Sequence, residues 1–319
     1  MTPAERERGA ALLTVLLLVA VISVMATAGL ERLRLATRLG GNAVQVGQAR
    51  AYAQAAEALA LSRVDALLGV SPDRVSLAGD WSGRPFGLPV PDGIATARVT
   101  DGGNCFNLNG LVTPVGPGVY ATNPGQRVQF TRLLRLLGVP GQTAEQVAGG
   151  AADWIDTDAD QQPSGAEDPI YLAQSVPYRT AGTLMTDRSE LRAVAGVTPE
   201  LYAQLRPWLC ALPRAEPAEI NVNTVTPEQA ALLAMLGPET LSVEATRAAL
   251  LRRPPQGWVD PSTFWSAAGA IGSGAAVRSQ WFALRIDVTV GRTQMSETAL
   301  IDATRLPARL VARQWGEDL

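Results

Sequence analysis

Arg8-Gly9-Ala10-Ala11-Leu12-Leu13-Thr14-Val15-Leu16-Leu17-Leu18-Val19 opens an apolar run that lasts to Leu30. At a helical rise of about 1.5 Å per residue, the stretch from Ala10 covers roughly 30 Å, the thickness of a bilayer's hydrocarbon core. It contains no charge, proline or asparagine, so it predicts one membrane crossing over residues 10–30. A charged leader, residues 1–9, precedes it, and helix-forming sequence follows without a break. Arg6, Arg8 and Ala26-Thr27-Ala28 also fit a secretory signal cut after Ala28, but the run is longer than the usual h-region and Arg8-Gly9 sits at its border. Charge does not orient the span. Arg32, Arg34 and Arg38 follow it, while Glu5 and Glu7 offset the leader's arginines.

Beyond the span, residues 31–68 are rich in Ala, Leu, Arg, Gln and Glu and lack proline, which predicts a long helix. Leu33, Val44, Ala51, Ala55, Ala58 and Leu61 fall near helical spacing and mark the row expected to lie on a sheet; Gly40-Gly41 and Gly47 mark a weak point. Prolines and glycines from Gly69 to Pro91 predict an irregular connection. Residues 94–100 alternate, and Asp101-Gly102-Gly103 separates them from Cys105-Phe106-Asn107-Leu108-Asn109, a hairpin signal. A second hairpin is expected from Trp281–Val290 and Thr293–Ala303, which flank Gly291. The economical fold class is α+β: a long N-terminal helix, half of it transmembrane, packed on an antiparallel sheet drawn from residues 69–112 and 278–305. Residues 113–277 form an inserted all-α domain, and 306–319 a C-terminal tail.

Composition narrows function. With 319 residues, 47% of them hydrophobic, the chain can bury a full core. A net charge of −3 argues against a nucleic-acid partner. Histidine is absent, which removes Ser-His-Asp and Cys-His catalysis together with histidine metal sites. No phosphate loop or Gly-x-Ser-x-Gly motif occurs. Cys105 and Cys210 either close a disulfide, if the chain beyond Leu30 faces an oxidising compartment, or stand as two buried thiols.

The site chemistry concentrates in Asp153-Trp154-Ile155-Asp156-Thr157-Asp158-Ala159-Asp160, which continues to Glu167-Asp168. Asp156, Asp158, Asp160 and Glu167 stand at positions 1, 3, 5 and 12 of a calcium loop, where hard oxygen ligands suit Ca2+. Gln161 replaces the usual glycine and no clear helix follows Asp168, so the loop departs from an EF-hand. Asp156, Asp158, Asp160, Glu167 and Asp168 are the candidate ligands, against the alternative of a solvated acidic loop. Residues 218–270 read as a SAM-like or helix-hairpin-helix unit, with Thr224 or Thr226 capping a helix near Pro227 and Leu232, Leu233, Leu236, Leu250 and Leu251 as its core. Acidic residues there outnumber arginines, so its expected role is packing or partner contact.

Arg8-Gly9, the helix from Ala10, Thr14, Cys105-Phe106-Asn107-Leu108-Asn109, Asp153-Trp154-Ile155-Asp156, Gly165-Ala166-Glu167-Asp168 and Ile220-Asn221-Val222-Asn223-Thr224 together resemble the K-type minor pseudopilins of type II secretion, the GspK family. The resemblance implies a type IV pilin-like fold and no enzymatic activity. It implies cleavage between Gly9 and Ala10 by a prepilin peptidase, N-methylation, and calcium in the insertion. Thr14 stands where most pilin-like subunits carry glutamate, which implies an assembly role at the pseudopilus tip with the I-type and J-type minor pseudopilins. Other pseudopilins and the inner-membrane secretion platform are the further implied partners. The implied location is a single pass in the inner membrane with the C-terminal domain in the periplasm. A calcium-dependent periplasmic enzyme or binding protein, anchored or secreted, is the alternative.

Overall fold

The computed structural model describes residues 3–316, with side chains from Leu12 onward. One helix, α1 (Pro3–Val70), runs unbroken through the apolar run and the alanine-rich segment, and Gly40, Gly41 and Gly47 do not interrupt it. Its apolar side chains stand bare from Leu12 to Val44. Packing begins at Ala49, and the row that meets the sheet is Ala49, Ala53, Ala56, Ala60, Val64 and Leu68, all buried. Of the expected row, Leu61 alone packs against this core, half-buried. Leu33 and Val44 are 68% and 62% exposed, and Ala51, Ala55 and Ala58 face solvent. Alanine recurs at so many phases of this helix that composition cannot choose a face; the reach of the sheet chooses it.

After α1, the stretch read as irregular supplies an edge strand, β1 (Phe86–Val90), which pairs with β2 (Gly93–Asp101). At Asp101 the expected hairpin fails. The half-buried Asp101 carboxylate accepts hydrogen bonds from the Gly103 N–H (2.9 Å), from Thr224 Oγ1 and from Ser279 Oγ. The chain therefore passes into the insertion instead of turning back, and Phe106 to Asn109 never join the main sheet.

The insertion opens with β3 (Phe106–Asn107) and a ribbon of β4 (Val112–Gly116) and β5 (Val119–Thr122). Helices α2 (Pro124–Leu136), α3 (Gly141–Ile155), α4 (Asp168–Leu172) and α5 (Pro199–Leu205) follow, then the short strands β6 (Leu209–Cys210) and β7 (Ile220–Asn221). Helices α6 (Ala230–Ala234), α7 (Val243–Leu251) and α8 (Pro261–Ala268) and the strand β8 (Ala275–Ala276) complete it. Expected as all-α, it also carries three two-stranded ribbons, β3 with β6, β4 with β5 and β7 with β8. Its core is continuous from Phe106, stacked on Phe130 at 4.6 Å, to Leu250 and Phe264. In the segment expected to be a helix-hairpin-helix unit, Thr226 forms a capping box with Gln229; Leu232, Leu233 and Leu250 are buried, while Leu251 is exposed.

Buried asparagines tie this body together. Asn109 donates to the carbonyls of Met185 and Leu212 and accepts the Met185 N–H, so one side-chain amide stands in for a peptide group between loops far apart in sequence. Asn107 does the same for Arg214, Glu216 and Leu212, and Asn223 for both main-chain groups of Trp258. Cys105 and Cys210 are joined as a disulfide, with Cα atoms 5.8 Å apart, beside the β3–β6 pair.

The chain then returns as β9 (Trp281–Val290), β10 (Thr293–Asp302) and β11 (Arg309–Trp315). The sheet runs β1-β2-β9-β10-β11, every pair antiparallel. Residues expected as a tail thus contribute its fifth strand, bent by an irregularity opposite Leu300/Ile301. Arg313 on β11 lays its guanidinium across both oxygens of Glu57 (2.5 and 2.6 Å) and reaches Glu297 of β10 at 3.2 Å. Burial first, then the adjacent Glu57, pushes the Glu297 carboxyl up to about 8. Burial alone would raise Glu57, but hydrogen bonds from Glu297 and Arg313 hold it below its ordinary value.

Arg313→Met should cost about 2–3 kcal/mol, less than for a fully buried pair because the arginine is partly exposed. In its native state Glu297 keeps a proton that the unfolded chain loses near its ordinary value of 4.5, so its contribution to stability falls as pH rises from there towards 8. Glu297→Gln, which cannot ionise, should flatten that fall; urea midpoints at pH 5 and pH 8 check both substitutions.

Candidate functional site

The acidic loop is built on the C-terminal turn of α3. Glycines let the loop fold across that helix. A Cβ on Gly165 would come within 2.1 Å of Asp153 Oδ2, and one on Gly149 would press on the Gly165 backbone at 3.0 Å. The fold brings carboxylate oxygens of Asp156, Asp158 and Glu167 within 4.8 Å of one another. Asp156 and Glu167 are buried, and Asp158 is exposed at the mouth. Asp156 Oδ2 accepts the Thr122 hydroxyl at 2.6 Å, which fastens β5 to the site. Asp156 Oδ1 and Glu167 Oε1 are buried with no hydrogen-bond partner.

Two buried anionic oxygens left unpaired beside a third carboxylate are costly unless a cation meets them. The same cost raises their pKa values. Burial first, and then the neighbouring carboxylates, push Asp156 up to about 6 and Glu167 up to about 7. Asp153, buried just behind, is pushed up to about 6 by its own burial although it accepts the Gln162 N–H at 3.1 Å. The trio fits a hard divalent cation such as calcium: oxygen donors only, confined, partly desolvated, with one side open to water.

Two of the five candidate ligands lie outside the trio. Asp160 is exposed and donates its N–H to Asp158 Oδ1 at 2.9 Å, so it shapes the turn. Asp168 starts α4, the short helix that the sequence reading did not anticipate; its carboxylate accepts the Thr180 N–H (3.0 Å) and hydroxyl (3.1 Å) and pairs with Arg179. These bonds, Thr180's N–H foremost, hold it below the usual carboxylate range. Asp153 and Thr122 were missed. Asp153 stood inside the quoted motif, and its place one helical turn before Asp156 and Thr157 was the available signal.

The second feature of functional weight is α1. Among the described residues it is the one helix long and apolar enough to cross a membrane. Thr14 is exposed on it and carries no charge, whereas Gly9 and Ala10 lie outside the residues whose side chains are described. In the segment 218–270 the arginines are held by the fold. Arg247, Arg252 and Arg253 each donate to a carbonyl of the same body, of Pro227, Ala267 and Val225.

Comparison with known proteins agrees in sequence and in fold. Family models for type II secretion system protein K match residues 104–214 and 220–285. Type II secretion system protein K of Klebsiella pneumoniae is 35% identical over 98% of this chain and 97% of its own length; that of Pectobacterium carotovorum subsp. carotovorum is 32% identical over the same shares. The crystal structure of the GspK-GspI-GspJ complex from the enterotoxigenic Escherichia coli type 2 secretion system matches with a TM-score of 0.73 and 33% identity, covering 85% of this chain and 96% of that one. A pilin-like sheet on a long helix, a helical insertion holding an acidic pocket, and identity along nearly the whole length together place this chain in the type II secretion system protein K family.

Proposed function

We propose that this chain is a non-enzymatic minor pseudopilin at the tip of the type II secretion pseudopilus, where it nucleates assembly with the I-type and J-type minor pseudopilins for export of folded proteins. The observation that carries this reading is the fold match to a chain solved in a GspK-GspI-GspJ complex. Residues 10–30 cross the inner membrane once and the remainder lies in the periplasm, bound through α1 to other pseudopilins and supported by the inner-membrane platform.

Thr14 adds a physical reason for the tip. In pilin-like filaments a glutamate at the fifth mature residue neutralises a neighbour's amino terminus inside the membrane, where an unpaired charge costs about 3 kcal/mol or more. A threonine gains nothing from docking beneath an earlier subunit, yet this chain's own terminus can be paired by the next one. The insertion agrees, since a regularly packed shaft has little room for it. Gold labelling of the insertion should mark one end of each filament; labels repeated along the length would sink the tip assignment.

Processing follows from the same reading. A prepilin peptidase cuts after Gly9, because the leader holds that bond at the cytoplasmic membrane surface while Ala10 onward stays in lipid. Gly9→Val should leave the precursor uncut, with loss of the mature form, as read by mass analysis of the amino terminus. A wild-type protein beginning at Gly29 would mean a secretory signal instead. Calcium, held by Asp156, Asp158 and Glu167, has a structural part: it neutralises the acidic pocket and fixes the loop to α3 and β5. The unpaired buried oxygens of Asp156 and Glu167 support it.

A further inference from the structure

Far from the acidic pocket in charge if not in sequence, the insertion carries a groove of about 400 Å³ lined by Arg192, Pro199, Tyr202, Ala203, Arg206 and Pro207. Its polar side chains can all donate hydrogen bonds: two guanidiniums, which only donate, and a phenol, which can also accept. Tyr202 is only 7% exposed, and among the described residues its hydroxyl takes part in no hydrogen bond. The Arg192 guanidinium stands 5.9 Å from its ring centre. Neither Arg192 nor Arg206 forms an ion pair among the described residues, although acidic residues are close in sequence.

Those acids are engaged elsewhere. Asp187 accepts the Ser189 N–H and the Gln314 amide, and Glu190 accepts from Thr186 and from the Asp187 N–H, completing a capping box. Glu200, in the first turn of α5, bonds its own N–H and Thr198. Arg188, by contrast, is turned inward onto the carbonyls of Arg206 and Leu209. In a chain of net charge −3 no carboxylate lines this groove, which is walled by prolines and an alanine; Asp187 lies near the Tyr202 phenol, but its oxygens are taken by Ser189 and Gln314.

We propose that this groove is a docking site for an acidic segment of a partner protein. One carboxylate sits between Arg192 and Arg206 and accepts the Tyr202 O–H, and an apolar neighbour rests between Pro199, Ala203 and Pro207. The choice of a protein segment over a phosphate-bearing surface comes from those walls: a recess of this size with apolar sides holds a side chain next to the charge, which a headgroup alone would leave unfilled. The proline walls are already rigid, so little ordering entropy opposes docking. The inference stands apart from the calcium site and from the tip assignment.

The test uses the full chain in detergent and a fluorescein-labelled hexapeptide of alternating glutamate and leucine, read by anisotropy. Binding should weaken at least tenfold for Arg192→Gln combined with Arg206→Gln, since each charged hydrogen bond is worth about a factor of ten. It should weaken about three- to tenfold for Tyr202→Phe, which removes one oxygen and keeps the ring, with the melting temperature unchanged. Raising salt should weaken it further. Equal binding of a peptide with glutamine in place of glutamate would overturn the proposal, as would equal binding by the arginine variants. Arginine-dependent capture of phosphatidylglycerol vesicles without peptide binding would assign the groove to a lipid surface. A variant with Glu317→Gln and Asp318→Gln that bound peptide more than tenfold tighter would show that the chain's own acidic end is the occupant, and would equally overturn a partner site.

Discussion

Replacing Cys105 and Cys210 together by serine should lower stability by about 4–5 kcal/mol, the loop-entropy value for a closure of this length. The bridge spans 105 residues and ties the start of the insertion to the segment leaving α5, so opening it frees the unfolded chain more than a short loop would. Either single serine should cost nearly as much as the pair, because the bridge is lost in each. The surrounding Asn107 and Asn109 bonds to Leu212, Arg214 and Glu216 keep the folded geometry without it. Guanidinium midpoints of the oxidised wild type and the double variant measure the difference. A loss below about 1 kcal/mol would mean that the reduced, unfolded chain already holds these segments together.

Calcium should raise the melting temperature of the folded protein, while the same pocket without calcium should be a liability. A cation that binds only the native state adds about 2.7 kcal/mol at a hundredfold excess over its dissociation constant and about 4 at a thousandfold. In chelator, native Asp156 and Glu167 titrate near 6 and 7 against ordinary values of 3.8 and 4.5. The native state therefore holds protons that the unfolded chain has released, and stability without calcium falls as pH rises from about 4 to about 7. Calcium requires the carboxylates ionised, so its gain grows over the same window. Asp156→Asn with Glu167→Gln should abolish the calcium gain and, in chelator above pH 7, be more stable than the wild type. Identical melting curves for the wild type in millimolar calcium and in chelator would remove calcium from the account.

What could be read in advance follows from whether a signal was local. The membrane run, the hairpin around Gly291 and the capping of the helix at Pro227 are written in contiguous residues, and each formed where expected. The acidic pocket was half legible. Alternation picked out Asp156, Asp158 and Asp160 and the twelfth position of the loop picked out Glu167, and the fold brings together Asp156, Asp158 and Glu167 but neither Asp160 nor the adjoining Asp168. Asp168 is drawn away by Arg179 and Thr180, eleven and twelve residues on, a pairing that no period announces. Other failures share that cause. Asp101 defeats a good hairpin signal because Thr224 and Ser279 reach it from the far side of the insertion. Likewise Arg309–Trp315 reads as an unremarkable tail until Glu57 and Glu297 are seen to wait for Arg313.

The strand order has a consequence for how the chain is made. β2 finds its neighbour β9 only after the whole insertion has been synthesised, and β10 finds β11 only once the segment Arg309–Trp315 has followed. The insertion's helices and ribbons meet over shorter separations, apart from its ties to Val75, Asp101 and Ser279, so they can close while the sheet is still incomplete. During that interval the Ala49–Leu68 row of α1 has nothing to cover it, and with the anchoring proposed above it stands beside a membrane surface. With the location proposed above, a chain in this state presents a sticky stalk beside other stalks of the same kind, where premature helix pairing is the hazard. Pairing of β9, β10 and β11 with β2, rather than formation of the helix, is thus the step that covers this row, and on the proposed function it is the step after which the subunit is safe to assemble.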